Sequence, residues 1–121
     1  MVDKFYNLIQ VFEERYGTLG LLAILKMDEV IDKWSLIVSP GDTTRISTEQ
    51  ERDSAFDFVY QWIESNLTKE EAESIARIGL LTDASHIVRE LKQLKSESEG
   101  MLILNDRRIN GNHVHEAFVL K

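Results

Sequence analysis

The hydrophobic positions at the start of the chain have helical spacing and then change to extended runs. Asp3 is a candidate N-cap of the first helix and Gly17 its candidate end. The apolar face between them consists of Phe5, Leu8, Ile9, Phe12 and Tyr16. Two apolar runs follow, LGLLAIL and KWSLIVS, and the polar DEVID between them predicts a hairpin. In the second run Trp34, Leu36 and Val38 share one face of a strand.

Two capping boxes predict the helices that follow this hairpin. Ser47 with Gln50 begins a long helix that ends near Asn66, and Thr68 with Glu71 begins a short helical turn. The apolar stripe of the long helix consists of Ala55, Phe58, Val59, Trp62 and Ile63. Both tryptophans lie on apolar stripes, so we expect them in the core rather than as binding platforms.

The segment ESIARIGLLT predicts a strand, and TDASHIVRELKQLK predicts a third helix that Thr82 or Asp83 caps. Apolar side chains occupy both faces of this strand, which indicates a central strand covered on both sides. Two final strands, MLILNDRR and NHVHEAFVL, meet at Asn110-Gly111, a dipeptide typical of a tight two-residue hairpin turn.

The order of elements is therefore α-β-β-α-β-α-β-β. It predicts an α+β fold with one mixed five-stranded β-sheet and about three packing helices, in a single domain over residues 1–121. Strand order cannot be assigned from sequence. We expect the last strand to form an unprotected edge of the sheet.

Composition narrows the classes of function. The net charge of -7 and the lack of a basic stripe argue against nucleic-acid binding. No cysteine is present, which excludes disulfides and thiolate metal sites. The N-terminal stretch does not resemble a secretory signal, and the longest apolar run is too short for a membrane span, so we expect a cytoplasmic protein without a membrane partner.

The stretch DRRINGNHVHEAFVL contains the first candidate site. A two-residue turn pairs Arg108 with His113 and Asp106 with His115, and strand alternation places both histidines on one face with Leu104. The Asp106–His115 pair resembles a general base with its orienting acid. With His113 it also offers three ligand groups for a divalent metal ion, although Arg108 opposes a cation there. The alternative is a solvated hairpin end, and we assign no metal ion and no cofactor.

The second candidate site lies where a strand meets a helix N-terminus, a position that favours anions. Thr82, Ser85 and His86 are its candidate ligand-binding residues, and a helix cap is the alternative interpretation. Arg45, in the loop SPGDTTRIS, is a further candidate contact to a ligand or partner.

The pattern KWSLIVS, then SIARIGLL leading into a helix, then INGNHVHEAFVL resembles small bacterial proteins of unknown function, some of them encoded in integron cassettes. The resemblance covers most of the chain after Asp32. It implies a compact α+β domain and a bacterial source, and it implies no activity.

Two hypotheses about function remain. The first is a non-enzymatic module that binds a protein partner or itself, most simply as a homodimer, because catalytic motifs are missing and the surface is acidic. The second is a small enzyme or ligand-binding protein with its site at Asp106, His113 and His115, with His86 as a further candidate member.

Overall fold

The computed structural model describes residues 1–28, 31–41 and 46–121. A single 3-10 turn, Val2–Lys4, leads into the first helix. The helices of the described residues are α1 (Phe5–Tyr16), α2 (Glu49–Asn66), α3 (Lys69–Glu73) and α4 (His86–Ser96). The strands are β1 (Leu19–Met27), β2 (Trp34–Pro40), β3 (Ile75–Leu80), β4 (Leu102–Ile109) and β5 (Asn112–Val119). This order confirms the predicted α+β fold.

The strands of the described chain form one mixed five-stranded sheet in the order β3-β2-β1-β5-β4. Strands β2 and β3 are parallel, and the other neighbours are antiparallel. Two expectations about edges were wrong. The last strand, β5, lies inside the sheet between β1 and β4, and β3 is an edge strand rather than a central one. The apolar side chains of Ile75, Ile78 and Leu80 all pack against one hydrophobic cluster, and Ala76 is exposed, so β3 is not covered on both sides.

Each face of the sheet has its own hydrophobic cluster. On the first face α1 and α2 pack against the sheet, and the largest fully buried side chains there include Phe5, Leu8 and Phe12. On the second face α4 packs through Val88 and Leu91. The sheet is thus the middle layer of three, which explains why β1 is apolar at nearly every position.

The tryptophans lie where their stripes predict. Trp62 is buried, packs on Phe5 with ring centroids 5.3 Å apart, and donates from Nε1 to Oδ1 of Asn7 at 2.9 Å. Trp34 is half-buried against Phe118, and Nζ of Lys26 lies 4.6 Å from its ring centroid. The buried N–H of Trp62 is therefore satisfied within the core.

Three helix starts differ by a few residues from the prediction. Asp3 lies inside the 3-10 turn and does not cap α1. The capping box of α2 uses Thr48 and Glu51, one position later than expected. Helix α4 has Ser85 as its N-cap rather than Thr82 or Asp83. The carbonyl of Thr82 accepts a hydrogen bond from the Ser85 N–H, which closes a turn before the helix begins. The predicted box of Thr68 and Glu71 at α3 is confirmed.

Candidate functional site

The β4–β5 hairpin has the turn and the residue pairing that its sequence predicts. Asn110 and Gly111 both have positive φ, 51° and 78°, as a tight turn of this type requires. Arg108 pairs with His113 and Leu104 with Ala117. The N–H of Asn110 donates to Glu90 of α4 at 2.7 Å, which fixes the turn against the second face.

An irregularity in the middle of the hairpin changes the direction of its side chains. Between β1 and β5, Lys26 pairs with Glu116 but Met27 pairs with Val114, so His115 is an extra residue of β5. Opposite it in β4, Asp106 has a φ of 46°. An extra residue of this kind is a β-bulge, which redirects neighbouring side chains.

The bulge reverses the faces that strict alternation predicts. Val114 and Ile109 are fully buried with Leu104 and Ala117 in the α4 cluster. His113, next to Val114, therefore points to the opposite face. The expectation that the histidines share a face with Leu104 was wrong, because both strands gain one residue between the two halves of the hairpin.

Asp28, the first residue after β1, joins the two histidines. Nε2 of His115 donates to Oδ1 of Asp28, and Nδ1 of His113 lies 3.5 Å from the same oxygen. The two imidazole rings meet edge to face with centroids 4.4 Å apart. Each of these three residues offers one atom that can bind a metal ion, and the three atoms lie within 4.8 Å of one another. The pairing of Met27 with Val114 explains this, because Asp28 directly follows Met27 and the two histidines flank Val114.

The site is open to solvent, and the carboxylate of Asp28 lies beside both histidines. The side chain of His113 is 33% exposed, whereas those of His115 and Asp28 are 52% and 62% exposed. The hydrogen bond from His115 is the main reason that the pKa of Asp28 lies below its ordinary value, and His113 adds to it. A small cleft of about 190 Å³ beside the cluster is lined by Lys26, Met27, Asp28, Ile31, Asp32 and His115.

Asp106 contacts a different histidine from the one predicted. Its carboxylate oxygen lies 3.6 Å from Nε2 of His113, while Asp28 occupies the place beside His115. The expected Asp106–His115 pair is therefore replaced by two carboxylates on either side of His113. The positive charge of Arg108 also opposes a metal ion less than expected. Its guanidinium donates to the carbonyl of Gly111 at 3.0 Å and is held at the turn.

Asp28 is a member of the site that no sequence pattern indicated. The residue lies in the polar segment DEVID, and only the pairing of β1 with β5 brings it to the histidines. That pairing joins residues 87 positions apart, and no local pattern encodes it. The local pattern gave no signal for the bulge either, because residues 102–104 are all apolar and Ile103 is in phase with Ile109.

The second candidate site, where β3 leads into α4, lies away from the histidine cluster, and its residues do not line one cleft. Thr82 lines a cleft of about 320 Å³ at the carboxyl ends of β2 and β3, and its hydroxyl accepts from the Ala84 N–H at 3.3 Å. Ser85 and His86 do not line that cleft. His86 begins α4, on the second face, and bonds to Arg89, so it does not join the other histidines. Arg45 falls outside the described residues.

No protein-family model, curated protein or solved structure matches this chain. The bacterial source and the resemblance to integron-cassette proteins therefore stay predictions. No helix within the described residues is long and apolar enough to cross a membrane.

Proposed function

We propose that this protein binds a divalent transition-metal ion through Asp28, His113 and His115. The observation that carries the proposal is the convergence of one carboxylate oxygen and two imidazole nitrogens from β5 and the end of β1. Two imidazoles with a carboxylate suit zinc and neighbouring transition metals, whereas calcium and magnesium prefer oxygen ligands.

The distance between two of the ligand atoms is close to that in a zinc site. Ligand atoms about 2.0–2.1 Å from a tetrahedral zinc ion lie roughly 3.3 Å from one another. The 3.5 Å between Asp28 and His113 is close to that value. His115 and Asp28 bond directly, and a metal ion between them would replace that hydrogen bond. Nε2 of a neutral His115 would then hold the metal ion, with the ring proton on Nδ1, and a protonated ring would release one proton to solvent.

Three protein ligands leave a coordination position for water or a small ligand. Zinc sites of this kind activate a bound water or polarise a carbonyl, whereas structural sites have four protein ligands. The exposure of His115 and Asp28 gives a small ligand access to that position. The proposal thus develops the hypothesis of a ligand-binding protein or small enzyme at this hairpin.

Zinc titration by calorimetry tests the proposal. We expect one zinc ion per chain, and we expect Asp28→Asn, His113→Ala and His115→Ala each to weaken binding by more than about 10-fold, because each removes a direct ligand. His86→Ala is the matched control, since it removes the third histidine outside the cluster. Failure of the unchanged protein to bind zinc, or equal affinity of His115→Ala, would refute the proposal.

A second proposal retains the hypothesis of self-association. The edge strand β4 exposes half of Ile103, which pairs with half-buried Phe118. A free edge with an exposed apolar side chain favours pairing with another strand. We propose a homodimer through residues 102–105 of β4, in a cytoplasmic protein of bacterial origin.

A further inference from the structure

We infer that Asp106 is a positioning residue that orients His113 for metal binding, an inference that rests on the proposed metal site. His113 has two ring nitrogens, and each faces a different carboxylate. Nδ1 lies 3.5 Å from Asp28, and Nε2 lies 3.6 Å from Asp106. A neutral imidazole carries its proton on one nitrogen and a lone pair on the other.

The arrangement assigns the two nitrogens to different tasks. Asp28 is itself a ligand in the proposed site, so the nitrogen beside it, Nδ1, is the one that can reach the same metal ion. Nε2 then carries the proton and donates it to Asp106. A carboxylate that accepts the second N–H of a metal-bound histidine fixes its tautomer and ring orientation, and strengthens it as a ligand.

The separation between Nε2 and Asp106 permits this bond. At 3.6 Å the two atoms are at ion-pair distance and beyond hydrogen-bond length. A movement of roughly 0.8 Å brings them to the length of a charge-assisted hydrogen bond. The side chain of Asp106 is 79% exposed, so no packed neighbour opposes that movement.

The backbone of Asp106 supplies independent support. Its φ of 46° lies in the left-handed region, where glycine is favoured and aspartate is tolerated. Together with the extra residue at His115, this conformation places the Asp106 carboxylate beside the ring of His113. Aspartate is among the few non-glycine residues that adopt this region readily, so the backbone can hold a carboxylate beside His113 at this position.

The test compares Asp106→Gly with Asp106→Asn. Glycine keeps the left-handed backbone and removes the acceptor, whereas asparagine tolerates the same backbone and keeps a neutral acceptor oxygen. We expect zinc affinity to fall about 10- to 100-fold in Asp106→Gly and by less in Asp106→Asn. Asp3→Asn serves as control for the loss of one negative charge, and amide spectra confirm that each variant is folded.

A histidine 1H–15N correlation spectrum of the zinc-loaded protein provides a readout that a purely structural role would not change. We expect Nδ1 of His113 to be the metal-bound nitrogen and Nε2 to be protonated, with the tautomer less uniform in Asp106→Gly. Zinc binding to all three proteins with equal affinity, or coordination through Nε2 of His113, would overturn the inference and leave the metal site intact. Absence of zinc binding by the unchanged protein would overturn both.

Discussion

The carboxylate of Glu71 links α3 to the start of the chain. It accepts hydrogen bonds from Nζ of Lys4 at 2.7 Å and from the Thr68 N–H at 2.9 Å. The bond from Lys4 is the largest cause that lowers the pKa of Glu71 to about 2, and the Thr68 N–H adds to it. An unfolded glutamate has a pKa of about 4.3, so the folded state favours the charged form.

We expect the stability of Glu71→Gln to approach that of the unchanged protein as pH falls. The folded pKa lies below the unfolded one, so the stabilisation by Glu71 is complete above pH about 4.3 and is lost as pH falls towards about 2. Glutamine can still complete the capping box, which isolates the charge. Urea unfolding midpoints between pH 7 and pH 2.5 measure the effect.

Glu70→Gln is the matched control for this experiment. It removes the same charge from the same helical turn, and among the described residues its side chain has no hydrogen bond to Lys4. We expect its unfolding midpoint to stay close to that of the unchanged protein at each pH. A difference between Glu71→Gln and the unchanged protein that stays constant from pH 7 to pH 2.5 would contradict the assignment.

Single residues also show how far local sequence determines structure. The segment STEQE contains two overlapping capping boxes, Ser47 with Gln50 and Thr48 with Glu51, and the structure uses the second. Glu51 accepts from both the Ser47 hydroxyl and the Thr48 N–H, and a negative charge is favoured at a helix N-terminus. The position of the capping box was predictable to within one residue. The negative charge of Glu51, compared with the neutral Gln50 of the other box, favours the box that the structure uses.

Among the elements, the β4–β5 hairpin depends on its turn. Gly111 has a φ of 78°, and a Cβ added there would meet no atom within 4 Å. The cost of a side chain is therefore conformational rather than steric. We expect Gly111→Ala to destabilise the protein by about 1–2 kcal/mol, the cost of left-handed backbone for an ordinary residue.

Gly111→Asn is the comparison for this substitution, because asparagine adopts the left-handed region more readily than alanine. Both variants place a side chain in the same open space. We expect urea denaturation to show a smaller loss for Gly111→Asn than for Gly111→Ala. Equal losses would indicate that contacts at the turn, rather than backbone conformation, set the stability.

The pairing of this hairpin was predictable from sequence, but the direction of its side chains was not fully so. The Asn110-Gly111 turn fixes which residues face one another, and those pairs are confirmed except at Asp106 and His115. The period-two rule fails there because both strands bulge. The buried positions Leu104 and Ile109 are out of phase with each other. The sequence hides this change of phase, because the neighbouring Ile103 is also apolar and is in phase with Ile109.

At the scale of the whole molecule, strand order determines which surfaces can associate. The edges of the described sheet are β3 and β4, and the charged half of β4 carries Asp106, Arg107 and Arg108. Charges and bulges on an edge oppose pairing with another chain. The half that contains Ile103 is consequently the part of β4 that we expect to pair in a homodimer.

We expect Ile103→Lys to abolish self-association measured by sedimentation equilibrium. Tyr6→Lys, which introduces the same charge at another exposed side chain, should leave it unchanged. Because each chain has a net charge of -7, we also expect dimers to strengthen as salt is raised. A protein that sediments as a monomer at all concentrations and salt conditions would refute the homodimer.

Sequence predicts the types and order of the elements, but it does not predict which strands become neighbours. Amphipathic spacing, capping boxes and the turn dipeptide are local, and each yields the correct element. The neighbours of β1 depend on how two hairpins dock, which is a property of the packed layers. The candidate site combines both levels, since His113 and His115 are visible as a local motif and Asp28 is not.

The middle of the sheet also constrains how the chain folds. β1 and β5 are adjacent, yet most of the chain lies between them, so their pairing closes a long loop whose entropy opposes it. The β1–β2 and β4–β5 hairpins need only short closures, so we expect them to form first and their docking to be the slow step. Asp28 belongs to the first hairpin and the two histidines to the second. A metal ion that all three residues bind only after docking would therefore lower the rate of unfolding and leave the rate of folding nearly unchanged.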